Sequence, residues 1–226
     1  MELYHVMYRG VDGRTIFADD QDRARFVHDL YEFNDTKPAD SYVRTPAARG
    51  ALTETHVGRT TSDMRERLVD LHGWKLLQNH VHLILSELQE QGLSSFMRKM
   101  SGYGRYFNAR HERRGRLFDM TKKVLVAEPA HFLYALHYVH LNGLDDLSGA
   151  TGWRERDEGT IADVDAANEH LKADRWSSFR DYCGIRNFPS ILTKTLHEDH
   201  AGEYADELRQ YLADRTNERL DAYALE

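Results

Sequence analysis

His80-Val81-His82-Leu83-Ile84-Leu85-Ser86 is the stretch from which the fold is read. Taken as a strand, its side chains alternate between two faces. Val81, Leu83 and Leu85 then enter a core, while His80 and His82 stand side by side on the opposite face. Two imidazoles so arranged are a natural pair of metal ligands. Two half-exposed histidines on a solvated sheet face would carry the same pattern, and spacing alone does not separate the two readings.

Leu68 to Leu77 reads as the preceding strand, joined through Gln78-Asn79. Upstream, Leu3 to Met7 alternates as a strand, and Gly10-Val11-Asp12-Gly13 makes a turn. Asp19 or Asp20 can cap a helix carrying Phe26, Val27, Leu30 and Tyr31 at helical spacing. Residues 34–62 are polar, contain Pro38 and Pro46, and read as an inserted loop. Downstream, Leu93 to Arg113 is a helical stretch weakened at Gly102 and Gly104, and Val124 to Val126 is a short strand. Pro129 opens a helix that Gly143 stops at about Asn142. Further helices are expected over 161–171, 177–182 and 202–223. The order strand, helix, two strands, helix, strand, helix implies an α+β sandwich, its helices packed on an antiparallel sheet.

Tyr138 and Asn142 lie four residues apart on one helix and share a face. A phenol and an amide oxygen brought to a histidine-bound metal would make a phosphodiester-cleaving site. The competing reading takes Tyr134, Tyr138 and Leu141 as a core stripe and Asn142 as a helix-terminal residue.

Composition sets the limits. The 226 residues carry a net charge of −7, which argues against a general nucleic-acid binder. That total hides a basic segment: Arg98, Lys99, Arg105, Arg110, Arg113, Arg114, Arg116, Lys122 and Lys123 against only Glu112 and Asp119. Tyr103, Tyr106, Phe107 and Phe118 are interleaved with it and could stack on unpaired bases. A solvated helix face held by charge pairs is the alternative. No apolar run is long enough to span a membrane, and the first residues lack the form of a signal peptide. The single cysteine, Cys183, excludes an internal disulfide and points to the cytoplasm. Walker, dinucleotide-binding, Cys-x-x-Cys and nucleophile-elbow motifs are absent.

Five segments in order resemble the HUH-type single-tyrosine transposases, and among them the REP-associated tyrosine transposases. They are Tyr4-His5-Val6-Met7-Tyr8-Arg9-Gly10, Asn79-His80-Val81-His82-Leu83-Ile84-Leu85, Tyr106-Phe107-Asn108 with Arg113-Arg114-Gly115-Arg116-Leu117-Phe118, His137-Tyr138-Val139-His140-Leu141-Asn142, and Trp176-Ser177-Ser178-Phe179-Arg180-Asp181-Tyr182. The resemblance departs at Leu77-Gln78 before the histidine motif and at Gly143 after Asn142. It implies a ferredoxin-like α+β catalytic domain over 1–184, and the residue pattern beyond it, which the resemblance does not cover, reads as a helical extension over 185–226. The resemblance implies Mg²⁺ or Mn²⁺ held by His80, His82 and Asn142, and Tyr138 as a nucleophile forming a 5′-phosphotyrosine link. The implied partner is single-stranded or hairpin DNA, bound by a monomer or homodimer, and the basic segment places its contacts at Arg98, Lys99, Arg105, Tyr106, Arg110, Arg113 and Arg114. A non-cutting hairpin-binding protein and a metal phosphodiesterase that uses water are the alternatives.

Overall fold

The computed structural model describes residues 2–38, 65–126, 129–150, 152–154, 161–194 and 203–213. Four strands, β1 (Leu3–Arg9), β2 (Val69–Leu76), β3 (His80–Glu87) and β4 (Lys122–Val126), form one sheet in the order β2-β3-β1-β4. All neighbours are antiparallel. Helix α1 (Asp20–Glu32) joins β1 to β2, and α2 (Gly92–Met100) and α3 (Tyr103–Arg110) join β3 to β4. This is the βαββαβ order of a ferredoxin-like sheet. Helix α4 (Pro129–Leu141) follows β4, then α5 (Val164–Ala173), α6 (Phe179–Tyr182) and α7 (Glu203–Ala213). None of the described helices is long and apolar enough to cross a membrane.

The period-two pattern divides the molecule into two cores. Val6, Tyr8, Val81, Leu83 and Leu85 face α1, α2 and α3. Leu3 and Ile84 face α4, α5, α6 and α7. Asp19 caps α1 by accepting from the Asp22 amide at 3.1 Å, so the first of the two candidate caps is the one used. Helix α4 is apolar on nearly all sides because the sheet lies beneath it and α5 and α7 lie against it. Gly73 lets it lie close to β2: a Cβ there would stand 2.6 Å from the Leu136 methyl, so a larger residue would require that side chain to shift.

Two expectations change. The helix expected over 93–113 is two helices, broken at Ser101-Gly102. A Cβ at Gly102 would come within 2.9 Å of the Lys99 carbonyl, and the break turns α3 back onto α1. Asn34, expected to open the inserted loop, is instead a buried tie. Its amide donates to the Val69 carbonyl and its oxygen accepts from the Leu68 and Val69 amides, fixing the end of α1 to β2. Most of the 34–62 insertion and the expected final helix beyond Ala213 lie outside the described residues.

Candidate active site

His80 and His82 lie on the α4 side of β3, their ring centroids 4.9 Å apart. In register, His80 is opposite Arg9 and His82 opposite Met7, so β1 brings His5 and Arg9 to the same face. Tyr138 comes down from α4. Its ring centroid is 5.8 Å from that of His82 and 5.7 Å from that of His5. Strand β3, strand β1 and helix α4 thus converge on one point.

Hydrogen bonds orient the imidazoles. His80 Nδ1 donates to Asn79 Oδ1 at 2.6 Å, which leaves Nε2 as its lone-pair nitrogen. His82 Nδ1 meets His5 Nε2 at 2.9 Å, one donating and the other accepting. His82 Nε2 is buried and makes no hydrogen bond with any described residue. Burial, with the Arg9 charge second, pulls the His80 pKa down to about 4. Burial, then the neighbouring His5 and His80, holds His82 well below its ordinary value. Both rings are therefore neutral near pH 7, the state a metal ligand requires.

These residues suit a divalent cation in part. Two outward imidazole nitrogens, one of them orphaned in a buried setting, are a reasonable donor pair. Among the described residues no three His, Cys, Asp or Glu side chains converge at ligand spacing, and the third ligand that the family resemblance implies is an amide. Asn142, fully buried in the single turn after α4, is the candidate. Its Nδ2 donates to the Tyr138 carbonyl at 2.7 Å, the helical i,i+4 relation read from the sequence. Its Oδ1 already accepts from Arg154 at 2.6 Å.

Arg154, Trp153 and Asp145 are the residues that sequence reading missed. Arg154 donates to both Asp145 oxygens at 2.5 and 3.1 Å, and Trp153 Nε1 donates to Asp145 Oδ1 at 2.7 Å. The Trp153 ring lies 5.7 Å from that of Tyr138, and the Arg154 guanidinium 6.0 Å from it. Tyr138 is only 1% exposed beneath them. The one signal in the chain was an aromatic–cation pair, Trp153-Arg154, inside an otherwise acidic stretch. His5 and Arg9 were also missed, because the register of β1 on β3 is a long-range property.

The basic segment divides into two groups. Arg110 is held by Asp19 and Asp22, and His111 meets Asp22 at 2.9 Å. The acids come from α1, which local composition could not show. Lys99 donates to the carbonyls of Asp35 and Lys37, and Arg113 to Asn108 Oδ1 at 3.2 Å. Tyr106 lies under Arg25 and donates to Asp22 Oδ1 at 3.3 Å. Tyr103 and Phe107 are core residues with no free stacking face, and Phe118, 9% exposed, lines a surface cleft. Arg98, Arg105 and Arg114 are exposed.

No family model matches this chain, and no curated protein matches it. Among solved structures it is similar to a REP-associated tyrosine transposase bound to a REP hairpin, at 11% identity and a TM-score of 0.47, over 89% of this chain and 90% of that one.

Proposed function

We propose that this protein is a metal-dependent endonuclease and strand transferase acting on single-stranded or hairpin DNA, with Tyr138 as nucleophile. The observation that carries this reading is the convergence of Tyr138 with His82 and His80, from separate elements, on one face of the sheet. The resemblance of the five sequence segments supports it independently.

In this reading the Tyr138 oxygen attacks phosphorus. The bond to the 3′ oxygen breaks, a 5′-phosphotyrosine forms, and the 3′ oxygen leaves as a hydroxyl, taking up the equivalent of the proton that the phenol gives up. His80 and His82, with Asn142, would hold Mg²⁺ or Mn²⁺, which when bound polarises the scissile phosphate and offsets developing charge. An ordinary phenol has a pKa near ~10 and is mostly protonated at neutral pH, so the tyrosine depends on that help. The covalent link conserves the phosphodiester bond energy, so the strand can be resealed to another without ATP.

Two observations favour a second reading, a hairpin-binding protein that does not cut. Tyr138 is 1% exposed, and the Asn142 oxygen is engaged by Arg154. In the transferase reading the Asp145, Trp153 and Arg154 side chains must move to admit a phosphate.

Incubation with end-labelled single-stranded DNA and Mn²⁺, followed by denaturing electrophoresis, separates the readings. The transferase gives a protein–DNA adduct that Tyr138→Phe lacks. Binding without cleavage leaves the second reading, and cleavage without an adduct points to water as the nucleophile.

A further inference from the structure

Two arginines of the basic segment differ from their neighbours. Arg105 on α3 and Arg116 on the segment returning to β4 are both exposed. Both line one open cleft of about 290 Å³. Where Arg110, Arg113 and Lys99 are occupied by partners within the fold, these two guanidinium groups have none of the ion pairs found elsewhere among the described residues. Two arginines without ion pairs lining one cleft, against the single carboxylate of Asp119, leave a local positive excess in a protein of net charge −7.

The cleft has more than charge. Tyr8 and Phe118 line its inner side, their ring centroids 5.1 Å apart. Asp119 also lines it and is exposed. A carboxylate beside two arginines works against a bare phosphate, but it can accept from the exocyclic amine of a base. The volume is at the low end for small-molecule sites, roughly 300 Å³ upward, which suits a single nucleotide and not a duplex.

Its position joins it to the histidine face. The 117–119 segment is zipped onto the end of β1, with the Val11 amide donating to the Leu117 carbonyl at 3.0 Å and the Asp119 amide to the Arg9 carbonyl at 2.8 Å. Tyr8 lines the cleft, and Arg9, the next residue, lies opposite His80 on the other face. A strand leaving the cleft over the end of β1 would meet Arg9 and then the histidine pair.

We propose that this cleft holds one nucleotide of the single DNA strand presented to Tyr138, with its phosphate between Arg105 and Arg116. The proposal rests on the functional reading above. It is tested by anisotropy of a labelled single-stranded oligonucleotide over a salt series, for wild type, the Arg105→Gln/Arg116→Gln double variant, and Arg186→Gln as an exposed arginine outside the cleft. The double variant should bind roughly tenfold or more weakly, as expected for a lost charge-assisted contact. Its slope of log K against log salt should flatten by about 0.7, the value for one phosphate. Arg186→Gln should match the wild type, and all three should melt alike. An oligonucleotide carrying 5-iododeoxyuridine should photocrosslink to the peptide containing Phe118. A double variant that binds like the wild type, or a crosslink that maps elsewhere, overturns the cleft assignment. Binding with the cleft crosslink but no adduct on Tyr138 upholds the cleft and overturns the transferase reading. A wild type that binds no single strand overturns both.

Discussion

Arg154 donates to Asn142 Oδ1 at 2.6 Å, so the amide oxygen proposed above as a third metal ligand is engaged by a cation of the protein itself. Arginine and a divalent ion would compete for that oxygen. Arg154→Ala removes the competitor and a positive charge close enough to bear on both His80 and His82. The variant should bind Mn²⁺ about tenfold more tightly, given that a charge-assisted hydrogen bond is worth roughly 1.5–3 kcal/mol. Arg154→Lys, which keeps the charge, should gain less. Free Mn²⁺ measured by electron paramagnetic resonance decides it. Equal or weaker affinity in Arg154→Ala would show that the arginine supports the metal site and does not close it.

His5 is expected to act through His82. Its Nε2 meets His82 Nδ1 at 2.9 Å, and outer partners of metal-bound imidazoles typically matter by 10- to 100-fold in affinity. His5→Ala should therefore weaken Mn²⁺ binding by roughly that factor. His5→Gln, whose amide can still bond to Nδ1, should recover part of it. A thermal melt separates this effect from unfolding, since His5 is fully buried. If both variants keep wild-type Mn²⁺ affinity while remaining folded, His5 is a packing residue only.

The elements that set the sheet were readable because each is local. The alternation in 80–86 put Val81, Leu83 and Leu85 in one core and both histidines on the other face. The four-residue spacing of Tyr138 and Asn142 became a direct hydrogen bond. What could not be read depends on contacts distant in sequence. Arg110 looked free because its acids, Asp19 and Asp22, are about 90 residues away on α1. His5 reaches His82 only through the β1–β3 register, and Arg154 reaches Asn142 only after the loop folds back.

Stability should fall as the pH drops below neutrality. Unfolded imidazoles titrate near 6.5. In the fold, burial and then the Arg9 charge hold His80 at about 4, and burial lowers His72, His82 and His140 as well. Below pH 6.5 the unfolded chain therefore takes up protons that the folded one refuses, and stability is lost down to about pH 4. His80 alone contributes a loss on the order of 3 kcal/mol at the lower end. Asp29 and Asp181, raised by burial, oppose this in the acid range. Asp19, lowered to about 2 chiefly by its bonds to Arg110, adds a further loss below about pH 4. Melting temperatures across pH 7.5 to 4.5 test the histidine part. A flat profile would mean that these rings can be protonated without leaving the fold.

Helix α7 should be needed to hold α4 in place, although the family resemblance stops at Gly184. Tyr204, Ala205, Leu208 and Tyr211 of α7 belong to the same core as α4. The tie is a complete hydrogen-bond chain. Ser178 Oγ accepts from the Trp74 amide at 2.9 Å and donates to the Trp74 carbonyl at 3.2 Å. It can then take the Nε2 proton of His140 at 2.7 Å, which leaves His140 Nδ1 to accept from the Tyr204 hydroxyl at 2.7 Å. Burial keeps His140 neutral, so nothing but that hydroxyl satisfies Nδ1. Tyr204→Phe keeps the ring and strands one buried acceptor, at a cost of about 1–3 kcal/mol. For a domain of this size that lowers the melting temperature by roughly 2–4 °C per kcal/mol. Because His140 sits two residues from Tyr138 on α4, the same variant should reduce the yield of DNA adduct more than it reduces DNA binding. Differential scanning calorimetry beside adduct and anisotropy assays measures all three. A Tyr204→Phe protein with unchanged melting temperature and adduct yield would detach α7 from the active site and leave α4 positioned by the sheet alone.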